Sequence, residues 1–314
     1  MIKIIKHSCL VMLSALVLFS CSKKDEVTPE PEVPKPDVEV VDKDITAITK
    51  KIMDNSTVIK TFVSDTTIKI AEGLHRTSIR FKRADELPVA IYILEADLKN
   101  SKLEMQTITP YNDLIYGVQP ISQMARDNEK PGTKIMAAIN GSPFAASGDP
   151  TGVYYVNGLG IKNTVPTTGT FFAYYLDRST KIGGRDLKTV QRTIDYTKIK
   201  EAVAGTSWFV DNGVKATYTD VSISARTAIG YTSDKVVYSI VVDGAQTTYS
   251  NGLSLADLRD IIASLGVIDA INLDGASSST MVIRDGTQQK WNLLSKPAGQ
   301  ERFVANGLAF VLKD

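Results

Sequence analysis

An α+β fold, with a mixed β-sheet core and flanking helices, is predicted by three features of the 314-residue sequence. Alternating apolar segments crowd the region after residue 58, two near-continuous apolar runs bracket an amphipathic stretch late in the chain, and glycines punctuate the middle. Ile45, Ile48, Ile52 and Met53 recur at helical spacing, so one helix opens the folded body. Thr66 to Ile70 and Val89 to Leu94 alternate as strands do, with Pro88 entering the second. Ile121 to Asn128 reads as a short helix closed by Pro131-Gly132, and Lys134 to Ile139 as a buried strand ending in Asn140-Gly141. Gly148, Gly152, Gly158, Gly160 and Gly169 imply strands joined by tight turns, or a lid. Val236 to Val242 is apolar enough for a strand covered on both faces, and it stops at Asp243-Gly244. Ser254 and Asp257 resemble a capping box. Leu255, Leu258, Ile261, Ile262 and Leu265 then line one helix face, and Gly266 sits where a left-handed cap is wanted. Val267 to Leu273 returns as a strand ending at Asp274-Gly275. The expectation is one βαβ unit over about 236–273. Its parallel strands deliver Asp243 and Asp274 to the same sheet end, where α/β sites collect. Thr280 to Arg284 and the turn Asp285-Gly286 predict a hairpin.

The N-terminal residues are read apart from the fold. Lys3 and Lys6 precede an apolar run from Cys9 to Phe19 that is too short to span a bilayer as a helix, the pattern of a secretory signal over 1–20. The run closes Leu18-Phe19-Ser20-Cys21, which resembles a bacterial lipobox with Cys21 as the lipidated first mature residue. Residues 21–44 follow as a tether, in which Pro29, Pro31, Pro34 and Pro36 favour an extended, semi-rigid spacer. Lys24-Asp25-Glu26 is similar to the basic-then-acidic signal that sends some Gram-negative lipoproteins to the cell exterior. The expected location is the outer membrane of a Gram-negative bacterium, on the cell surface or the periplasmic side, anchored through Cys21. Residues 45–314 are expected to form a single domain.

Composition excludes several chemistries. Thirty-six basic against 35 acidic residues leave no basic excess, so nucleic acid is not an expected partner. Cys9 and Cys21 both lie in the leader, which removes disulfides, thiolate metal sites and cysteine nucleophiles from the body. His7 is also in the leader; His75 is the body's one histidine, so a zinc site needing two cannot form. Catalysis must rest on carboxylates, Arg, Lys, hydroxyls, amides and backbone.

Asp274-Gly275-Ala276-Ser277-Ser278-Ser279-Thr280 is the sharpest local feature: a carboxylate, small residues and four hydroxyls immediately beyond an apolar strand. Small side chains let N–H groups converge on an anion, although a plain serine loop reads the same way. Asp243 serves a turn or a site. Asn140 orients a ligand or caps its turn. Arg226, in an apolar strand-like setting, needs a carboxylate or phosphate partner, internal or bound. Trp208 and Trp291 pack in the core or stack on sugar faces.

Asn140-Gly141-Ser142-Pro143-Phe144, Arg226-Thr227-Ala228-Ile229-Gly230, Val242-Asp243-Gly244 and Asn272 to Met281 occur in this order, and together they resemble the phosphodiester glycosidase family. Arg302 to Leu308 is similar to that family's closing strand. The likeness runs from about Lys134 to Leu308. It departs where Ala276 and Ser277 stand in place of glycines, since an added Cβ restricts positive φ and close backbone approach. The resemblance implies hydrolysis of a sugar C1–O bond in a sugar-1-phosphodiester on a glycan or glycoconjugate, with a phosphorylated glycan as partner. It implies Asp274 and Asp243 at the anomeric carbon, and Arg226 on the phosphate with N–H and hydroxyl groups of Gly275, Ser277 and Ser278. Asn140 would fix a sugar substituent, with Gly141 and Thr227 in the same binding set. No cofactor is required. One alternative is a metal-assisted phosphodiesterase breaking P–O, with Ca2+ or Mg2+ on Asp243, Asp274 and Asn272. The other is a non-catalytic surface lipoprotein that captures glycans.

Overall fold

Apolar runs buried on both faces build the centre of the protein. In the computed structural model the described residues are 45–165, 169–285 and 291–314. The signal segment, Cys21, the Pro-rich tether and Gly286 lie outside them, and Asp44–Asp314 is one compact unit by its own contacts.

Three sheets carry the body. An eight-stranded sheet runs in the spatial order 61–71, 74–82, 88–97, 236–242, 226–231, 269–272, 207–211 and 214–215. One five-stranded sheet is ordered 159–162, 154–156, 199–205, 170–175, 180–184, and the other 291–293, 281–284, 133–140, 307–313, 103–108. The main core joins all three. Tyr92, Leu94, Val237, Val241, Ile229 and Ile271 point into it from the large sheet, Phe172 and Val203 from the second, and Ile139, Met281, Leu308 and Phe310 from the third. The alternate residues of the large sheet, among them Val89, Ile91, Ile93, Ile240 and Val242, face the opposite way, into a second core under two helices. Period-two alternation thus feeds two hydrophobic layers at once, which is why these strands read as unbroken apolar runs.

Helix α1 (Ala47–Asn55) starts at Thr46, whose hydroxyl accepts from Thr49 N and donates to Asp65 at 2.6 Å. Ile52 is fully buried, while Ile45 and Met53 stay substantially exposed, so the inward stripe is narrower than the spacing predicts. Helix α2 (Ile121–Asp127) buries Ile121, Met124 and Ala125 against the third sheet. Helix α3 (Leu255–Ser264) begins as expected: Ser254 Oγ accepts from Asp257 N at 3.0 Å and donates to its carboxylate at 2.8 Å. It ends where Gly266 takes φ +77° and donates to Ala263 O.

Two expectations need correcting. Every strand pairing among the described residues is antiparallel, so the core is not a mixed sheet. Strands 236–242 and 269–272 do share one direction, but 226–231 lies between them and pairs antiparallel with both. The 236–273 segment is therefore a split unit rather than an adjacent βαβ pair. Continuous apolarity reports cover on both faces and carries no information about strand direction. The functional corollary survives: Asp243 and Asp274 follow two co-directional strands and leave the sheet at one end.

Candidate active site

Asp243 is almost completely buried just past its strand. Both carboxylate oxygens accept the Lys296 N–H, at 3.0 and 2.9 Å, and its own N–H donates to Ala90 O. The hydroxyls of Tyr92 and Tyr249, hydrogen-bonded to each other at 2.5 Å, lie beside the carboxylate and favour its ionised form, and Arg80 lies 3.7 Å from the Tyr249 ring centre. Burial lifts the Asp243 pKa to about 6, against the Lys296 N–H, the tyrosine hydroxyls and the Arg80 charge, which favour the anion. Ser250 Oγ donates to Asp243 O and accepts from Ala90 N, bracing the turn.

Asp274 has different surroundings. Burial also raises its pKa, but the Ser278 hydroxyl, the Gly275 N–H at 3.0 Å and the charge of Arg302 support the ionised form. Its main chain is clamped: the N–H donates to Gly141 O, and the carbonyl accepts from Asn140 Nδ2 at 2.8 Å.

A cleft of about 290 Å³ lies beside Asp243 and the loop that follows Asp274; Asp274 itself is not among its lining residues. Asp243, Gly244 and Ala245 line it with Ala276, Ser277 and Ser279 of the Asp274 loop and with Lys296 to Gln300. Ser279 is buried, and its hydroxyl has no partner among the described residues.

Several expected ligand contacts are internal instead. Asn140 is fully buried; its Oδ1 accepts from Thr227 Oγ1 at 2.8 Å and Thr280 N at 3.0 Å. With Nδ2 donating to Asp274 O, and with both residues fully buried and absent from the cleft lining, neither Asn140 nor Thr227 presents a polar atom to a sugar. Both position the Asp274 loop. Gly141 is also a packing residue: a Cβ there would stand 2.3 Å from Asn306 Oδ1. The Arg226 stem lies near Gly275, but its guanidinium donates to the carbonyls of Leu253 and Ser222, at 3.3 and 3.0 Å. Desolvation is met there by carbonyl oxygens rather than by an anion.

Four of the five N–H groups of the 275–279 loop are turned to the protein, and only that of Ser277 has no partner among the described residues. Gly275 N turns to Asp274, Ala276 N to Ala225 O, Ser278 N to Gly275 O and Ser279 N to Ala276 O, closing a 3₁₀ turn over Ala276–Ser278. Ala276 itself takes φ +53°. Its methyl is the smallest side chain that this conformation tolerates at a cost of roughly 1 kcal/mol. Ala276→Gly is expected to change stability by less than about 0.5 kcal/mol, since relieved strain offsets added unfolded-state entropy. Ala276→Val is expected to lose at least about 1 kcal/mol. Urea titration of both variants checks this.

Asn272 donates to Thr206 Oγ1 and Leu273 O, and its Oδ1 lacks a partner. Among the described residues, no three His, Cys, Asp or Glu side chains converge as a metal-ligand group. Trp208 donates to Arg185 O and packs under Arg192, a core role, while Trp291 packs against Arg284. His75 sits in strand 74–82, opposite Lys69 and Glu95 in the two neighbouring strands. Sequence reasoning missed Tyr92, Tyr249, Lys296 and Arg80, because their relation to Asp243 is set by pairing across distant segments. It also gave no role to Arg302, whose guanidinium donates to Ser277 Oγ at 2.5 Å and lies 5.8 Å from the Phe144 ring centre.

A family model described as phosphodiester glycosidase matches residues 133–311. No curated protein matches the chain. A hypothetical protein from Synechocystis is similar in fold, with TM-score 0.60 and 11% identity over 80% of this chain; only 64% of that longer protein is covered. The catalytic domain of zebrafish N-acetylglucosamine-1-phosphodiester alpha-N-acetylglucosaminidase, auto-inhibited by its pro-peptide, gives TM-score 0.59 and 19% identity over 80% of this chain and 89% of that one. A protein of Burkholderia pseudomallei described as exported gives TM-score 0.50 and 16% identity over 72% and 74%. At these identities the structural likeness concerns the fold.

Proposed function

Because the chain belongs to the phosphodiester glycosidase family, we propose that it hydrolyses a sugar-1-phosphodiester at the bond between sugar C1 and oxygen, freeing the sugar and a phosphomonoester. The observation that carries this reading is that Asp243 and the loop of Asp274 border one cleft, which is how two acids come to share one reaction. The activity in the name of the zebrafish relative, on an N-acetylglucosamine-1-phosphodiester, supports the bond class.

The chemistry suits this inventory. A phosphomonoester has a second pKa of about 6, so it departs without the strong general acid that an alkoxide needs. Asp243, poised near pH 6, takes a proton from water. The water oxygen bonds to C1, the C1–O bond breaks, and its electron pair leaves on the phosphate. Asp274, held by Ser278 and Gly275, steadies the positive charge that builds on the ring. A base must be ionised, so turnover rises with pH through about 6.

The test is hydrolysis of sugar-1-phosphodiesters in ¹⁸O water, with and without chelator. Label is expected in the sugar. Label in the phosphate would overturn the reading in favour of P–O cleavage, and saturable glycan binding without turnover would favour a capture protein. Asp274→Asn is expected to lose on the order of 10³-fold in kcat/KM, and full activity in that variant would remove Asp274 from its role.

A further inference from the structure

We infer that Arg302, together with the hydroxyls of Ser277 and Ser279, forms the clamp that holds the substrate's phosphate at the rim of the cleft, a function that the geometry withholds from Arg226. This rests on the hydrolytic reading above and specifies which end of the substrate enters the site.

Arg226 is engaged by two carbonyls. The Lys296 ammonium rests 4.8 Å from the Tyr249 ring centre, on the wall that carries Asp243, and Arg80 stacks on that same ring. Lys296 is exposed and without an ion pair among the described residues. Arg302 is likewise exposed with no carboxylate at ion-pair distance among the described residues, and of these four cations it is the one whose described hydrogen bond reaches a hydroxyl lining the cleft, that of Ser277. Its sequence neighbour Glu301 does not neutralise it, because that carboxylate accepts from Ser122 N and Oγ. A guanidinium beside a cleft with its donor fork still open is matched in shape and charge to a phosphate.

Ser279 supplies an independent sign of a ligand. It lines the cleft, and its buried hydroxyl has no hydrogen-bond partner among the described residues, whereas such groups in folded proteins ordinarily find one. Gly275, Ala276, Ser278 and Ser279 turn their N–H groups to the protein, so the donors this wall offers are the Ser277 N–H, hydroxyls and a guanidinium. Ser277 joins the last two, lining the cleft while accepting from Arg302.

The arrangement gives the substrate a direction. The sugar lies inward beside Asp243, the phosphate crosses Ser279 and Ser277 to Arg302, and the group beyond it emerges past Phe144, over which Arg302 lies. The ligand class is thus a terminal sugar esterified through phosphate to a group that stays outside the cleft.

Calorimetry on the full chain with inorganic phosphate and glucose 1-phosphate, at two salt concentrations, tests this. Wild-type protein is expected to bind both, more weakly at high salt. Arg302→Gln should bind each at least tenfold more weakly with little salt dependence, Arg302→Lys should recover part of the loss, and Arg226→Lys should bind as wild type does. Ser279→Ala should bind more weakly with an unchanged or higher melting temperature. Failure of wild-type protein to bind either probe, or equal binding by wild type and Arg302→Gln, overturns the clamp. Turnover of a sugar-1-phosphodiester by both proteins in that second case would leave the hydrolytic reading standing. Loss of binding in Arg302→Gln, with no hydrolysis by wild type, supports the clamp and overturns the reaction.

Discussion

Asp243→Asn is expected to abolish turnover and yet stabilise the folded protein above neutral pH. The carboxyl is nearly inaccessible, and its pKa is lifted to about 6 from an ordinary value near 3.8. A group that holds its proton more tightly when folded favours the fold in acid. Its contribution is fully present below the unfolded pKa and is lost as pH rises through the folded one. A lift of about two pH units corresponds to roughly 3 kcal/mol that the native state forgoes once the acid ionises. Asparagine keeps the shape and an acceptor for the Lys296 N–H without the buried charge. Urea unfolding should therefore show the variant more stable by up to about 3 kcal/mol at pH 8, shrinking towards zero by pH 4. Equal stability of the two proteins at pH 8 would contradict the assigned burial, and retained hydrolysis would remove Asp243 from the reaction. Sacrificing stability for a poised base is a common trade at active sites.

Asn140→Ala is expected to be the most damaging single change to the fold near the site. Three hydrogen bonds end on this side chain, from Thr227 and Thr280 and to Asp274 O. Truncation strands a buried hydroxyl, a buried N–H and a carbonyl, at about 1–3 kcal/mol for each unsatisfied group. Allowing for partial relaxation, the loss is about 3–5 kcal/mol, or a fall in Tm of about 10 °C for a domain of this size. Scanning calorimetry measures it directly. A residue that touched a ligand instead would raise KM and leave the melting temperature alone, so that outcome would restore the ligand role expected from the sequence.

Local pattern carried much of the architecture into view. The capping serine and terminal glycine of α3, the strand 236–242 and the short helix after Pro120 are all set by chemistry within a few residues. Topology was less legible. Nothing in the period of 236–242 or 269–272 says that 226–231 slips between them, since hydrogen-bonded neighbours are chosen by the whole sheet. The deduction that both acids leave one end was right in direction although it assumed the wrong neighbour. At the site, Arg226 was read as a desolvated cation in need of a partner, which it is; that carbonyls answer the need is invisible along the chain. Arg302 carried no local signal of a site, because its place beside Ser277 is set by the fold. Asn140 and Thr227 belong to the resembling motifs, and such motifs retain scaffold residues as readily as contacts.

Tyr92 and Arg80 lie upstream of residues 133–311, the portion that matches the family. The acid thus sits within the shared portion, while groups that set its proton affinity come from strands before it. Relatives can diverge in those leading strands and acquire a different acidity optimum without altering a single signature residue. A fragment trimmed to the shared portion would carry every hallmark of the family and yet lose strand 88–97, the partner of 236–242, exposing Asp243 to solvent and returning it to the behaviour of an ordinary carboxylate.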